Sequence, residues 1–575
     1  MSYQFKHHWR TSLVSLFLII AFSGLLWRLV ELNIIERNFL LQQSDARILR
    51  TVTMPAHRGM ITDRLGTVLA LSTPVYSAWI NPKFFHADNE QLNELSKELN
   101  VPVSLIKSRD IPGKGFVYVR RQNPPDVMER VKALDIPGVH FQQEYQRFYP
   151  EGEVMAHVLG ITNIDDQGQE GLELAYNNWL SGTPGEKEVL KDRLGNVIEN
   201  VAMLKTPAQG HDLVLSIDHR IQYIAYRALK EQVQKLNAKA GSIVVLNPKT
   251  GEILAMANQP SFNPNDRATV AERDCRNRAV TDSFEPGSSM KPFTIALALE
   301  SGQYTEKSLV DTNPGYMMVG GYEIKDDFVD NGIIDLRKIL EVSSNVGAAK
   351  ILLSLPPQPF FKLLRRFGFG RRTDSGFPGE TSGRLVEHSI WYKSDIATLA
   401  YGYGIAVTTL QLAQAYSILA DNGIEHPVTF IKLNGASAGR EVIPKKVAND
   451  IVKMLESVVY GNNPGATGHA AKVPGYLVSG KTGTAYIAGP DGYNKKKYVG
   501  DFVGMAPATN PQLVIAVVIR DPDNAENLHF GGQTAAPVFA KVMAASLRIL
   551  NIPPDNISNK PPELSLNPAA NSMDK

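Results

Sequence analysis

The sequence predicts an α+β protein, with a mostly antiparallel central sheet flanked by helices and a single membrane helix at its N-terminus. Three observations predict it. Thr11 to Trp27 runs 17 residues without a charge. Two β-type runs, GSIVVLN (241–247) and EILAMAN (252–258), are joined by the turn Pro248-Lys249-Thr250-Gly251. LVIAVVI (513–519) is a continuous apolar run of strand length, which marks a buried central strand, while helical periodicity recurs on both sides of it.

The apolar run comes first. Leu29 and Val30 prolong it past Arg28, and about 20 residues at 1.5 Å each span the ~30 Å hydrocarbon layer. Lys6 and Arg10 precede it with no acid among residues 1–10, so the positive-inside rule places the N-terminus in the cytoplasm and exports the rest. Ala21-Phe22-Ser23 is an acceptable small-x-small cleavage site, and a signal peptide is the alternative. The run continues through Leu25, Leu26 and Trp27, which favours an uncleaved anchor. The expected organisation is a tail (1–10), a transmembrane helix (11–30) and a helix-capable juxtamembrane linker (31–50). An elongated non-catalytic module of short strands and turns (51–210) comes next. Residues 211–550 form the chemistry-bearing domain, and the five-proline stretch 551–575 is a disordered tail.

Within 211–550 the elements follow from patterning. DLVLSI (212–217) alternates as a strand does. Asp218 is placed to cap the next helix, where Ile221, Ile224, Ala225 and Leu229 make one apolar face. LQLAQAYSILA (410–420) is a helix stopped by Asn422-Gly423.

Composition narrows the classes. A chain of 575 residues, 43% hydrophobic and 21% charged, has ample core for three or four units and is neither disordered nor multi-spanning. Lys+Arg 60 against Asp+Glu 58 gives no case for nucleic acid. The single cysteine, Cys275, excludes an intramolecular disulfide framework and Cys-rich zinc modules.

Three short motifs bear chemistry. Ser288-Ser289-Met290-Lys291 is an S-x-x-K, a pattern repeated at Ser104/Lys107 and Ser572/Lys575. Only Ser288 opens an apolar helix, with Pro292 suited to its first turn, so Ser288 and Lys291 share one helix face. Ser343-Ser344-Asn345 is an S-x-N. Alone it reads better as a helix cap or a satisfied buried polar cluster than as a functional group. Lys481-Thr482-Gly483-Thr484 occurs once, between strand-like flanks. Its Lys and hydroxyls around a Gly make a strand edge that accepts a carboxylate and an extended peptide. Gly475 to Thr482 also fits the P-loop pattern. The following GTAYIAGPDGYN is a poor helix, however, and a P-loop needs one there. No G-x-S-x-G stands at a strand-to-helix elbow, and no H-E-x-x-H or compact metal-ligand set is present in the sequence, so neither metal nor cofactor is expected.

The three motifs in this order resemble those of penicillin-binding proteins and serine β-lactamases. The chain as a whole resembles the class B penicillin-binding proteins, in their division-specific (penicillin-binding protein 3) type. The likeness extends to RGMITDRLG (58–66), GQEGLE (168–173), FEPGSSMKPF (284–293) and YGYGIAVTTLQLAQAY (401–416). It implies a penicilloyl-serine transferase domain with peptidoglycan D,D-transpeptidase activity, acting on septal stem peptides with release of D-Ala and acylated by β-lactams. Carboxypeptidase activity would be a side reaction. It implies Ser288 as nucleophile, Lys291 as its base, Ser343 as proton shuttle and Asn345 as ligand of the substrate amide. Lys481, Thr482, Gly483 and Thr484 would receive the substrate's terminal carboxylate, and the N–H groups of Ser288 and Thr484 would form an oxyanion hole. Lys481 would help lower the Lys291 pKa. Implied partners are peptidoglycan donor and acceptor stems, β-lactams, the inner membrane through one helix, and divisome proteins including a membrane glycan polymerase. The alternatives are a β-lactam-hydrolysing or sensing relative of the same fold, and a catalytically idle division scaffold. The E-x-x-L-N stretch that a class A β-lactamase needs for its water is missing between Asn345 and Lys481.

Overall fold

The computed structural model describes residues 8–40, 49–192, 197–266, 268, 271–327, 331–435, 437–463, 465–489, 492–523 and 528–556. The chain divides into two compact units. One comprises the N-terminus to Arg58, Thr73–Gln146 and Ser181–Gly210. The other comprises Gly59–Ser72, Arg147–Leu180 and His211 to the C-terminus.

In the first unit, α1 (His8–Val30) is the apolar run as a helix, with its side chains exposed. The span Trp9–Ile35 has a mean hydropathy of 2.2 and is long and apolar enough to cross a membrane. Helical structure continues through Glu31–Ile35, and residues 41–48 lie outside the described residues. The expected linker 31–50 is not helical to its end. Leu49 and Arg50 already belong to β1 (Leu49–Met54), because cross-strand pairing with Leu190 and Val189 supplies their backbone hydrogen bonds. A separate small core joins β2 (Val68–Ile80), α2 (Asn89–Glu98), β3 (Val117–Asn123) and α3 (Pro125–Ala133). Its interior is Ala78, Ile80, Leu92, Leu95, Val117 and Val131. Two further strands, β4 (Gly185–Lys191) and β5 (Val197–Lys205), complete a three-stranded antiparallel sheet in the order β1-β4-β5.

The section 51–210 therefore contributes to both units. Arg147 shows what draws its central part into the second one. Its guanidinium donates to Glu173 Oε1 at 2.6 Å and to the Gly59 carbonyl at 2.8 Å, and both charged side chains are fully buried. Removing either charge would strand the other without water.

The second unit is built on a five-stranded sheet. Asp218 caps α4 (His219–Lys235), its carboxylate accepting from Arg220 N. The hairpin β6 (Ala240–Leu246) and β7 (Ile253–Gln259) follows as the turn residues require. The helical elements α5 (Lys291–Glu300), α6 (Leu336–Glu341), α7 (Asn345–Leu353), α8 (Thr409–Ala420) and α9 (Lys445–Tyr460) intervene. The strands β8 (Ser479–Gly489), β9 (Gly492–Ala506) and β10 (Leu513–Arg520) and the helix α10 (Ala536–Ile549) complete it. The order is β7-β6-β10-β9-β8, antiparallel throughout, with β10 at the centre.

The pleat divides β10 between two cores. Leu513, Ile515, Val517 and Ile519 pack in one with Ile221, Leu229, Val542 and Leu547 of α4 and α10. Val514, Ala516 and Val518 face the other, with Leu410, Leu412 and Ile418 of α8. Helices on both faces leave no solvent side, which is why the run is continuously apolar rather than alternating. β8 is the edge strand, so one row of its backbone groups is free of sheet partners.

The chain does not lose order at Asn551. Asp555 Oδ1 accepts from Leu477 N at 2.7 Å, and the Ile552 carbonyl accepts from the Tyr476 hydroxyl at 2.6 Å. The remainder of the expected disordered tail, 557–575, lies outside the described residues.

Candidate active site

Ser288 sits in a 3₁₀ turn, Gly287–Met290, that leads directly into α5 with Pro292 in its first turn. Gly287 has φ +56, and a Cβ there would lie 2.6 Å from the Thr484 carbonyl. That closeness brings the Ser288 turn against β8, and only glycine permits it.

The three motifs converge on two buried amines. Lys291 Nζ lies 2.9 Å from Ser288 Oγ, 3.1 Å from Ser343 Oγ and 2.8 Å from Asn345 Oδ1, and it also reaches the Ser343 carbonyl. Lys481 Nζ lies 3.0 Å from the same Ser343 Oγ and 3.3 Å from Thr482 Oγ1. Ser343 Oγ thus bridges the two lysines. Both ammonium side chains are fully buried.

The S-x-N motif is not inside one helix. α6 ends at Glu341, Ser343 adopts φ +59, and Ser344 caps α7 by accepting from Gly347 N. The capping reading and the functional reading both hold, on adjacent residues. A left-handed residue between two helices turns the Ser343 hydroxyl toward the lysines, while Ser344 satisfies the helix terminus. Asp326 anchors this corner. It accepts from Ser344 Oγ at 2.6 Å, from Asn345 N at 2.6 Å and from Val346 N at 2.9 Å. Asn345 Nδ2 donates to the Lys325 carbonyl at 2.9 Å, which leaves its Oδ1 for Lys291.

Lys481 to Thr484 lie on β8. Gly483 faces Asp501 across the β8–β9 pair, and a Cβ at Gly483 would fall 2.0 Å from Asp501 Oδ2 and 2.4 Å from the Pro286 carbonyl. Thr482 Oγ1 pairs with Thr467 Oγ1 at 2.7 Å, and Thr484 Oγ1 accepts from Gly531 N at 3.0 Å. β8 runs straight through Lys481–Thr482 with no helix after them, so the P-loop reading fails on topology.

Electrostatics follow from burial. Burial lowers the Lys291 amine to about 7, against the pull of Asp326 and Asp327. Burial, and then the charge on Lys291, holds Lys481 well below its ordinary value. Desolvation is the largest cause for both amines, and the repulsion between them is mutual, each charge disfavouring the other. Asp501 is pushed up to about 7 by burial, against its hydrogen bond from Ser289 Oγ and the nearby Lys481.

Sequence reasoning missed Asp326, Ser289 and Asp501. The signal for Asp501 is an acid within the otherwise apolar strand stretch VGDFVGMA. For a metal, one group of side chains comes close among the described residues. Asp63, Asp218 and His219 bring their ligand atoms within 4.8 Å. Those atoms are committed. Asp63 meets His219 Nδ1 at 2.7 Å and accepts from Leu65 N and Thr67 N, and Asp218 takes the Arg220 guanidinium in two bonds.

A serine hydroxyl beside a buried amine brought near neutrality, a bridging serine and a lysine-bearing strand edge form an arrangement suited to acyl transfer of the serine–lysine kind. Residues 241–544 match the penicillin binding protein transpeptidase domain, and residues 53–215 match the penicillin-binding protein dimerisation domain. The chain is 43% identical over 558 residues to the probable peptidoglycan D,D-transpeptidase PbpC of Pseudomonas aeruginosa, covering 97% of this chain and 98% of that one. It is 40% identical over 557 residues to the peptidoglycan D,D-transpeptidase FtsI of Escherichia coli K12, covering 96% and 93%. Penicillin-binding protein 3 of Mycobacterium tuberculosis, solved with aztreonam, aligns over 88% of this chain and 98% of its own at TM-score 0.68 and 25% identity. The chain belongs to the penicillin-binding transpeptidases, as a class B peptidoglycan D,D-transpeptidase of the penicillin-binding protein 3 type.

Proposed function

We propose that this transpeptidase crosslinks septal peptidoglycan through an acyl-enzyme on Ser288. The observation that carries the reading is the 2.9 Å approach of Ser288 Oγ to a Lys291 amine that burial has brought near neutrality. A neutral amine has two N–H groups and one lone pair. Asn345 Oδ1 and the Ser343 carbonyl occupy the donors, which leaves the lone pair for the Ser288 proton.

The steps then balance. Ser288 Oγ bonds to the penultimate D-Ala carbonyl carbon as its proton passes to Lys291. Backbone N–H groups of Ser288 and Thr484 receive the oxyanion, each donor worth about 3 kcal/mol. The C–N bond to the terminal D-Ala breaks, and the departing amine takes the proton from Lys291 by way of the Ser343 hydroxyl. An amine of a neighbouring stem attacks the acyl carbon, loses its proton along the same path and frees Ser288. Water in place of the amine gives a carboxypeptidase side reaction. Lys481, Thr482 and Thr484 take the donor's terminal carboxylate, and Asn345 takes its amide. A β-lactam mimics the donor and leaves a stalled acyl-enzyme.

In this reading α1 anchors the protein in the inner membrane, N-terminus inside and catalytic domain in the periplasm. Divisome proteins, including a glycan polymerase, then act beside it. A reporter fused after residue 575 that is active without export would contradict that orientation. The catalytic reading is tested with a donor peptide ending in D-Ala-D-Ala and an amine acceptor. Mass spectrometry should find at least one D-Ala released per crosslink, with both lost in Ser288→Ala. Crosslinking that survives the substitution would overturn it.

A further inference from the structure

At the end of the central sheet away from the three motifs in sequence, a cavity of about 440 Å³ opens between the first residues of β6, the last of β10 and the stretch 276–283. That volume lies in the range of small-ligand sites, roughly 300–1,000 Å³. Its charged lining is lopsided: Lys239, Arg276, Arg278 and Arg520 against Asp282 alone.

Two of the four cations are already answered. Arg276 pairs with Asp282 at 3.0 Å, and Lys239 pairs with Asp521 at 2.9 Å. The other two are not. Half-buried Arg278 reaches only main-chain carbonyls, Arg276 at 3.3 Å and Arg273 at 3.5 Å. Among the described residues no hydrogen bond or ion pair engages the Arg520 guanidinium. Burial disfavours the charge on Arg278 most, Asp282 and Asp274 favour it, and Arg276 and Arg520 repel it. Asp282 is the one acid in the lining and is already paired with Arg276, so a bound anion would relieve the remaining excess of positive charge. Register fixes the arrangement. Arg520 ends β10 opposite Ala240 and Val499, which fixes its backbone at the cavity mouth.

We propose that this cavity is a binding site for a phosphate- or pyrophosphate-bearing ligand, held between the forks of Arg278 and Arg520. Guanidinium forks bind oxyanions bidentately, and two forks with Lys239 alongside present donors from several directions. That suits a tetrahedral group with two or three charges better than a planar carboxylate, which one fork satisfies. The ligand is either a free small phosphate or the phosphate of a lipid headgroup. The site is separate from the Ser288 chemistry, although Asp282 lies only six residues before Ser288 along one continuous segment.

The test uses the full chain in detergent micelles. Calorimetry with sodium pyrophosphate should show saturable binding that weakens steeply with added salt. Arg520→Gln should weaken it at least about tenfold, and Arg278→Gln with Arg520→Gln should abolish it. Lys249→Gln, on the exposed turn after β6, should leave it unchanged. A second readout protects against misfolding. Without ligand, Arg520→Gln should melt higher than wild type because a like charge has gone, and it should react normally with fluorescent penicillin. The full chain reconstituted in vesicles with and without phosphatidylglycerol separates the sources: pyrophosphate binding weakened only in the anionic vesicles indicates a headgroup, and equal binding in both indicates a free phosphate. No binding of pyrophosphate by wild type, binding unchanged by both substitutions, or citrate bound as tightly as pyrophosphate would overturn the proposal.

Discussion

The titration of Lys291 should govern the rate at which Ser288 is acylated. An exposed lysine titrates near 10.5, so at pH 7 about one molecule in 3,000 holds a free amine. Burial brings Lys291 to about 7, where half do. The gain is on the order of 10³ in available base, equivalent to about 5 kcal/mol that the fold spends on desolvating the amine. The sign follows from which form is reactive. The neutral amine accepts the Ser288 proton, so activity is lost as pH falls through the folded-state pKa. The assay is the second-order acylation rate with a fluorescent penicillin, by stopped flow between pH 5 and 9. The rate should fall about tenfold per unit below pH 6, reach half its plateau near pH 7 and stay flat above 8. At pH 5 it should be about 100-fold below the plateau. Lys291→Ala should lie at least ~10³-fold lower, without that inflection. A profile independent of pH, or one with its midpoint near 10, would refute the buried amine as the base.

Other consequences concern the strand edge. Asp501 has a folded pKa of about 7 against 3.8 for the free side chain, so it withholds stability that is intact below pH 4 and lost as pH rises to 7. Asp501→Asn keeps the Ser289 contact and should raise the melting temperature at pH 8 while leaving it unchanged at pH 4. The upper bound is about 4 kcal/mol, and no difference at pH 8 would contradict the assignment. Gly483→Ala places a methyl group against Asp501 and the Pro286 carbonyl, and should cost 1–3 kcal/mol or more by approximate overpacking magnitudes. Calorimetric stability within about 0.5 kcal/mol of wild type would show that β8 yields easily. Lys481→Ala should slow acylation by a free-acid β-lactam far more than by its ester, and strict additivity of the two changes would exclude a carboxylate contact.

The parts of the site that were legible in the sequence are local ones. Ser288 and Lys291 lie one helical turn apart, so their contact needed no tertiary information. β10 is legible through its apolar length, because packing on both faces leaves its interior no polar position, and α8 through its apolar face and the Asn422-Gly423 stop. The missed features depend on long-range placement. Asp501 reaches the site only because the β8–β9 register sets it opposite Gly483. Asp326 matters because it caps a corner that no periodicity encodes. The left-handed Ser343 was invisible for the same reason: a backbone reversal between two helical stretches leaves the apolar pattern on either side intact. The weight of burial in the Lys291 shift is read only from the structure, because a sequence shows which cations exist and not how deeply each is buried. Leu49 and Arg50 look helix-capable in isolation, and their partners on β4 decide otherwise.

The central claim is that Ser288 is the residue acylated. Intact-protein mass spectrometry after exposure to benzylpenicillin, followed by peptide mapping, tests it most directly. The account predicts a single adduct of one benzylpenicillin mass on the peptide containing Ser288, absent from Ser288→Ala. An adduct on Ser104 or Ser343, or an adduct that persists in Ser288→Ala, would contradict it.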